Sequence, residues 1–144
     1  MNFKIERYMN SAAVRQLSQH IDHSRQVSGN APGGISMPVT ESQIFIGLND
    51  SETKQQKLST DRYAAILKEV CKDFGVPFSF NVIDGGYIHD DGEYTEEKSI
   101  VLTFIDLPQE TVDEIAKEMC VLFHQESVLV TTDRIRVRSI RERL

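Results

Sequence analysis

Apolar residues recur along this chain at two different periods, and the alternation between those periods sets the expected order of elements. The run QIFIGL at 43–48 has the aromatic and branched composition of a mostly buried strand. From a cap at Ser59 or Thr60, Tyr63, Ile66, Leu67, Val70 and Phe74 fall on one face of a helix that Gly75 and Pro77 end. Residues 78–87 read as a strand, the acidic stretch DGGYIHDDGEYTEE as a wide hairpin turn, and 98–105 as the antiparallel return. Pro108 suits the first turn of a second amphipathic helix, with Val112, Ile115, Ala116, Met119, Leu122 and Phe123 on its apolar face; 128–140 supplies the last strand. Strand, helix, strand, strand, helix, strand is the split β-α-β order. The expected fold is therefore α+β, an antiparallel sheet of about four strands with two helices on one face.

Ahead of this body, 10–23 reads as a short helix capped by Asn10 or Ser11, with Val14, Leu17 and Ile21 as a narrow apolar stripe. A stripe that narrow needs a partner, so the helix is expected to pack across an oligomer contact. The segment that follows is broken by Gly29, Pro32, Gly33, Gly34 and Pro38, which makes it irregular. The expected division is an N-terminal helix and ligand or oligomer loop at 1–42 and an α+β domain at 43–144. A chain of 144 residues, 40% hydrophobic, is enough for one such domain. No run approaches the roughly 20 apolar residues of a membrane helix, and MNFKIERYMN lacks a signal-peptide apolar block, so the expected location is the cytoplasm.

Charge changes the picture. A net charge of -6 argues against binding nucleic-acid polymers, yet Arg134, Arg136, Arg138, Arg141 and Arg143, five of the sixteen basic residues, fall in the last eleven positions. A local basic site on an acidic chain suits a small anion. A period of two puts Arg134, Arg136 and Arg138 on one sheet face, and guanidinium groups suit bidentate phosphate recognition; the plainer reading is a solvated edge strand kept from aggregating by its charges. The loop SRQVSGNAPGG at 24–34 joins Arg25 to three glycines whose backbone N–H groups can cradle phosphate, though a flexible linker has the same composition and the Lys-Ser/Thr of a P-loop is missing. Phe78, Phe80, Tyr87 and Tyr94 offer faces for stacking a nucleobase, or are half-buried strand residues.

Other candidates for chemistry are weaker. Asp84, Asp90, Asp91, Glu93, Glu96 and Glu97 lack calcium-loop spacing and read as a solvated turn. His20 and His23 would need a third ligand to hold zinc. His124 and Ser127 lie close in sequence but without a nucleophile elbow or an obvious acid to orient the histidine. Cys71 and Cys120 sit in apolar helical patterns as reduced thiols. The expectation is a binding protein with no catalytic residues, metal or cofactor, and not an enzyme; the alternatives are a phosphodiesterase-type enzyme using His20 or His23, or a protein-binding subunit whose arginine strand pairs with an acidic partner.

The body, from QIFIGLND through GGYIHDDGEYTEEKSIVLTF to LFHQESVLVTTDRIRV, resembles a small bacterial domain family of uncharacterised function that shares the DG turn and an F-x-Q-E-S-V segment. HSRQVSGNAPGG joined to that body resembles the first Thoeris anti-defence family of phage proteins. That resemblance implies a sponge in the infected bacterial cytoplasm, which sequesters nucleotide second messengers without cleaving them. It implies a homo-oligomer, a dimer and beyond it a hexamer, with no membrane partner. It implies a site for a cyclic ADP-ribose isomer at Phe80, Tyr87, Tyr94, Arg134 and Arg136, at a dimer contact. A separate site for cyclic di- or trinucleotides is implied at Gln19, His23, Arg25, Gln26, Ser28, Gly29, Asn30, Ala31 and Gly33.

Overall fold

The computed structural model describes residues 37–88 and 90–142. The expected helix at 10–23 and the glycine loop at 24–34 lie outside the described residues. So do the nine positions from Gln19 to Gly33 assigned to cyclic oligonucleotides.

The chain runs β1 (Met37–Gly47), α1 (Thr60–Phe74), β2 (Ser79–Ile88), β3 (Tyr94–Ile105), α2 (Gln109–Leu122) and β4 (Leu129–Val137). The strands form one sheet in the order β2-β3-β1-β4, every neighbouring pair antiparallel. This is the expected α+β fold, two interleaved β-α-β units with the helices on one face. Along β1, Ile44 and Ile46 point at the helices and are fully buried, as is Leu48 just beyond its end. Ile100, Leu102 and Phe104 do the same along β3. They meet Leu67, Val70 and Cys71 of α1 and Val112, Ile115 and Met119 of α2 in a single core. Tyr63 of α1 and Phe123, just past α2, close its end with ring centroids 4.9 Å apart. Cys71 is buried here, and that burial pushes its thiol up to about 12, which removes it as a nucleophile at neutral pH.

Helix α1 follows its local signals. Arg62 N–H donates to the Ser59 side chain at 3.2 Å, and Gly75 takes the left-handed conformation (φ 67°) that lets its N–H and that of Val76 close the last turn. Pro108 lies one position before α2, at its cap.

Strand boundaries differ from the sequence reading in three places, the last being β4, which stops at Val137 rather than 140. β1 begins at Met37 rather than 43, because 37–42 pair with β4 from Met37↔Val137 onward. Pro38 is tolerated since β3 joins β1 only from Glu41, which leaves the strand bonded on one side there. The wide turn is instead a two-stranded ribbon: β2 and β3 stay in register from Ser79↔Thr103 to Ile88↔Tyr94, so the turn shrinks to 89–93, with Gly92 at φ 86°. The Asp84–Lys98 ion pair, 3.3 Å, bridges directly opposed residues across this ribbon.

Among the described residues no helix is long and apolar enough to cross a membrane. Leu102 stands at the centre of the buried face, so Leu102→Ala should cost about 2–5 kcal/mol in chemical denaturation. Its neighbour Thr103, on the opposite face, should cost far less when replaced by Ala.

Candidate ligand-binding cleft

β1 stops at Gly47 while β2 and β3 continue, and the base of the ribbon therefore overhangs the chain leaving β1. A cleft of about 680 Å³ opens there, lined by Asn49, Gln56, Asp84, Gly85, Gly86, Tyr94, Glu96, Glu97 and Lys98. A second of about 370 Å³ adjoins it across Asn49 and Glu97, adding Asp50, Ser51, Lys54, Tyr87 and Gln125–Ser127 from the loop after α2. In the larger cleft three carboxylates face one ammonium, and that ammonium belongs to Lys98, already paired with Asp84. The lining is acidic and flanked by tyrosines.

Glu97 is the pivot of both clefts. Its carboxylate accepts the Asn49 N–H at 3.0 Å and lies against the bare Cα of Gly47, where an added Cβ would come within 2.7 Å of both carboxylate oxygens. Gly86 plays the same part for Tyr94: its missing side chain lets the ring lie across the strand, and a Cβ would sit 2.6 Å from the ring edge.

Beside the cleft is a constellation that sequence reading missed. Asp50 is only 2% exposed and accepts the N–H groups of Glu52 (2.9 Å) and Thr53 (3.0 Å); Lys57 Nζ lies 3.3 Å and His124 Nδ1 2.5 Å from its other oxygen. The Thr53 N–H first, and then the bond to His124, hold the Asp50 carboxyl well below the usual carboxylate range; burial works the other way and loses. The acid that orients His124 is thus Asp50, 74 residues away in sequence, a separation no local motif search spans.

The residues assigned from sequence to an ADP-ribose-type ligand do not meet within one chain. Phe80 is 2% exposed on the helix-facing side of β2 and serves the core, so it offers no stacking face. Tyr94 is 71% exposed and Tyr87 39%, both on the ribbon. Arg134 and Arg136 are exposed on β4, opposite Thr40 and Pro38, with β3 and β1 between them and β2. They share the helix-side face with Thr132, whose hydroxyl donates to Gln109 of α2; Arg138 lies past the end of β4. At about 3.3 Å per residue, the arginines and the ribbon tyrosines stand roughly 40 Å apart along the strands. The acidic stretch, read as a solvated turn, instead supplies the cleft carboxylates. Among the described residues no group of three His, Cys, Asp or Glu side chains is placed to hold a metal ion.

No protein-family profile and no curated protein matches the chain. Solved structures do. A phage SAM lyase in complex with S-methyl-5'-thioadenosine matches 76% of this chain and 94% of its own at 24% identity, with a TM-score of 0.52. Its apo form matches 79% and 97% at 23% identity, with a TM-score of 0.53. The chain shares its fold with a phage lyase. A nitrogen regulatory PII-like protein from Thiomonas intermedia K12 is similar at 13% identity and a TM-score of 0.43, too loosely to build on. The exclusion of enzymes drawn from the sequence is overturned by the lyase match. A protein with this fold is an enzyme, so missing triads and metal motifs do not count against catalysis here. The Thoeris resemblance holds only as far as a fold found in a phage protein that binds a small nucleoside-like ligand.

The lowered Asp50 carboxyl gives a prediction with a definite sign. Its ordinary value is near 3.8 and its folded value is lower, so its contribution to stability is full above about pH 5 and drains away as pH falls below that. Asp50→Asn should therefore lower the unfolding midpoint at pH 7, and the variant's midpoint should fall less steeply than the parent's between pH 5 and about 2.

Proposed function

We propose that the chain binds S-adenosylmethionine in the Glu97 cleft and cleaves it as a lyase. The observation that carries this reading is the sign of the cleft's charge. S-adenosylmethionine has a sulfonium, an ammonium and one carboxylate, and so is a net cation; cyclic ADP-ribose isomers and cyclic oligonucleotides carry two or more phosphates. Two unit charges 4 Å apart interact by about 4 kcal/mol at an effective dielectric constant of 20, so Glu96 and Glu97, the two cleft carboxylates not paired with Lys98, favour the first ligand and repel the others. Tyr94 in the larger cleft offers a ring face on which an adenine stacks, and Tyr87 lines the adjoining one. The shared fold supports the same reading.

The reaction asks little proton chemistry of the protein. When the bond from sulfur to the aminoacyl side chain breaks, its electron pair stays on sulfur, which leaves as the neutral thioether S-methyl-5'-thioadenosine. Attack by the substrate's own carboxylate on the carbon that sulfur leaves completes that carbon's valence, with no water consumed. The sulfonium charge disappears in this step, so the cleft carboxylates contribute to binding rather than to the barrier. Acceleration must come from holding the substrate carboxylate in line behind the breaking bond and keeping water out.

A second reading rests on the exposed arginines of β4. Sequestration of an anionic nucleotide messenger, of the cyclic ADP-ribose or cyclic oligonucleotide kind, would use Arg134 and Arg136 together with the aromatic ribbon of another subunit, since one chain holds these groups at opposite ends. Both ligand classes belong to the cytoplasm, which is where this proposal places the chain.

Incubation with S-adenosylmethionine should release S-methyl-5'-thioadenosine, followed by mass spectrometry. Glu97→Gln should weaken substrate binding at least about tenfold. Unchanged substrate and no thermal shift, alongside a clear shift with a cyclic nucleotide that Arg134→Ala abolishes, would falsify the lyase reading in favour of the second.

Gly47→Ala offers a separate check. It should leave the unfolding midpoint nearly unchanged, because only a flexible carboxylate has to move, yet reduce S-adenosylmethionine binding about as much as Glu97→Gln. A variant with full affinity would mean that the position of Glu97 is irrelevant.

A further inference from the structure

We infer that Gln125 is a positioning residue for the cleft: it grips Asn49 and so fixes the carboxylate of Glu97, with the Asp50–His124 pair as its support. Asn49 pairs with Gln56 in an isolated β-bridge and reaches the Glu96 carbonyl with its side-chain amide at 3.4 Å, and both its backbone polar groups are engaged. Its N–H donates to Glu97 Oε2 at 3.0 Å, and its carbonyl accepts from Gln125 Nε2 at 2.6 Å. Glu97 stands on a twisted ribbon where a carboxylate on a flexible side chain has several rotamers open to it, and the Asn49 N–H selects one. That N–H is aimed only while residue 49 itself is fixed.

Two loops share the task. In the loop after β1, Asp50 N–H donates to the Gln55 carbonyl at 2.9 Å, Lys54 N–H returns to the Asp50 carbonyl at 2.8 Å, and the buried Asp50 carboxylate caps the turn. In the loop after α2, Gln125 N–H bonds the Cys120 carbonyl at 2.9 Å, which anchors Gln125 to the helix end. His124, next to it, has φ 51°, a left-handed conformation uncommon for a side chain of its size; it is held by Asp50 at Nδ1 and by the Ser51 N–H on its carbonyl at 3.1 Å. The charged groups around the imidazole are Asp50, Glu52 with Oε1 3.9 Å from Nε2, and Lys57 across Asp50. The helix end, the turn and the ribbon carboxylate are thereby coupled through Asn49.

The inference rests on the Glu97 cleft as a sulfonium site, and its test separates the two. Gln125→Met keeps the side-chain length and removes the donor; Gln125→Ala is the second variant. Affinity is read for S-adenosylmethionine and for S-adenosylhomocysteine, the same molecule without the methyl group and its charge. Gln125→Met should weaken the charged ligand about tenfold, the worth of one hydrogen bond to a charged group, and leave the neutral one unchanged. In a Glu97→Gln background the same substitution should cost nothing, because the group it positions has lost its charge. In the unliganded full chain, the Asn49 amide proton should move upfield in both Gln125→Met and Glu97→Gln. Equal losses for the two ligands, additivity with Glu97→Gln, or an unmoved Asn49 amide would each overturn the inference. If the parent chain binds neither adenosyl compound, the sulfonium reading falls, and the Asn49 amide still decides whether Gln125 sets Glu97.

Discussion

Everything distinctive about this molecule follows from where β1 ends. Antiparallel pairing carries β3 past Gly47 alongside β2, while the chain leaving β1 keeps a backbone bond from the Leu48 N–H to the Lys98 carbonyl at 2.9 Å, and the sheet narrows there to the β2–β3 ribbon. Up to that line, side chains on one face of β1 and β3 are buried under the helices. Beyond it the same alternation leaves Glu96 and Tyr94 exposed on the helix-side face and turns Glu97 to the other face, where its carboxylate lies against Gly47. Had β1 run on in register, its next residues would have covered the position Glu97 occupies. Instead the chain turns at Asn49, and its free N–H becomes the partner of that carboxylate.

The turn at 49–53 must hold its shape at the rim of the protein, and it does so with a buried charge. A buried carboxylate without partners would cost several kcal/mol. Asp50 has two backbone donors, an ammonium and an imidazole, so its desolvation is offset and the loops after β1 and α2 are fastened together. The arrangement stabilises the rim of the cleft without drawing on the apolar core, so ribbon and rim can vary while the layered body stays the same.

What the sequence revealed and what it hid divide along physical lines. Helix α1 was legible because Ser59, the apolar face from Tyr63 to Phe74 and Gly75 are local signals within one segment. The strand order was legible from the alternation of periods. The first arm of the ribbon was legible too, since 78–87 reads as a strand and β2 spans Ser79–Ile88; its return through 94–97 was not, because an exposed arm has no apolar period to show and the acidic residues around it carry the composition of a turn. β4 announced its charges correctly, but the sheet order sets it at the far edge from the tyrosines, which pairing alone decides. The cleft itself was hidden because Glu97, Asn49 and Gln125 come from three segments, and none of them belongs to a motif. Reading enzymes out on the absence of local motifs was overturned by a fold shared with a lyase, which no local motif signals.

The charge of the cleft bears on turnover as well as on affinity. On the proposed reading, the substrate enters as a cation, and Glu97 and its neighbours contribute to holding it. Breaking the carbon–sulfur bond extinguishes that cation within the site. The thioether that remains keeps its adenine contacts but has lost its Coulombic attraction to Glu96 and Glu97, so its affinity falls as a direct result of the chemistry. A sponge for phosphorylated messengers would need the opposite: a site whose charge opposes the ligand's and stays opposed for as long as the ligand is held. An acidic cleft whose carboxylate is fixed by an aimed N–H has the electrostatics of the first kind, and the arginines on the far edge of the sheet have those of the second.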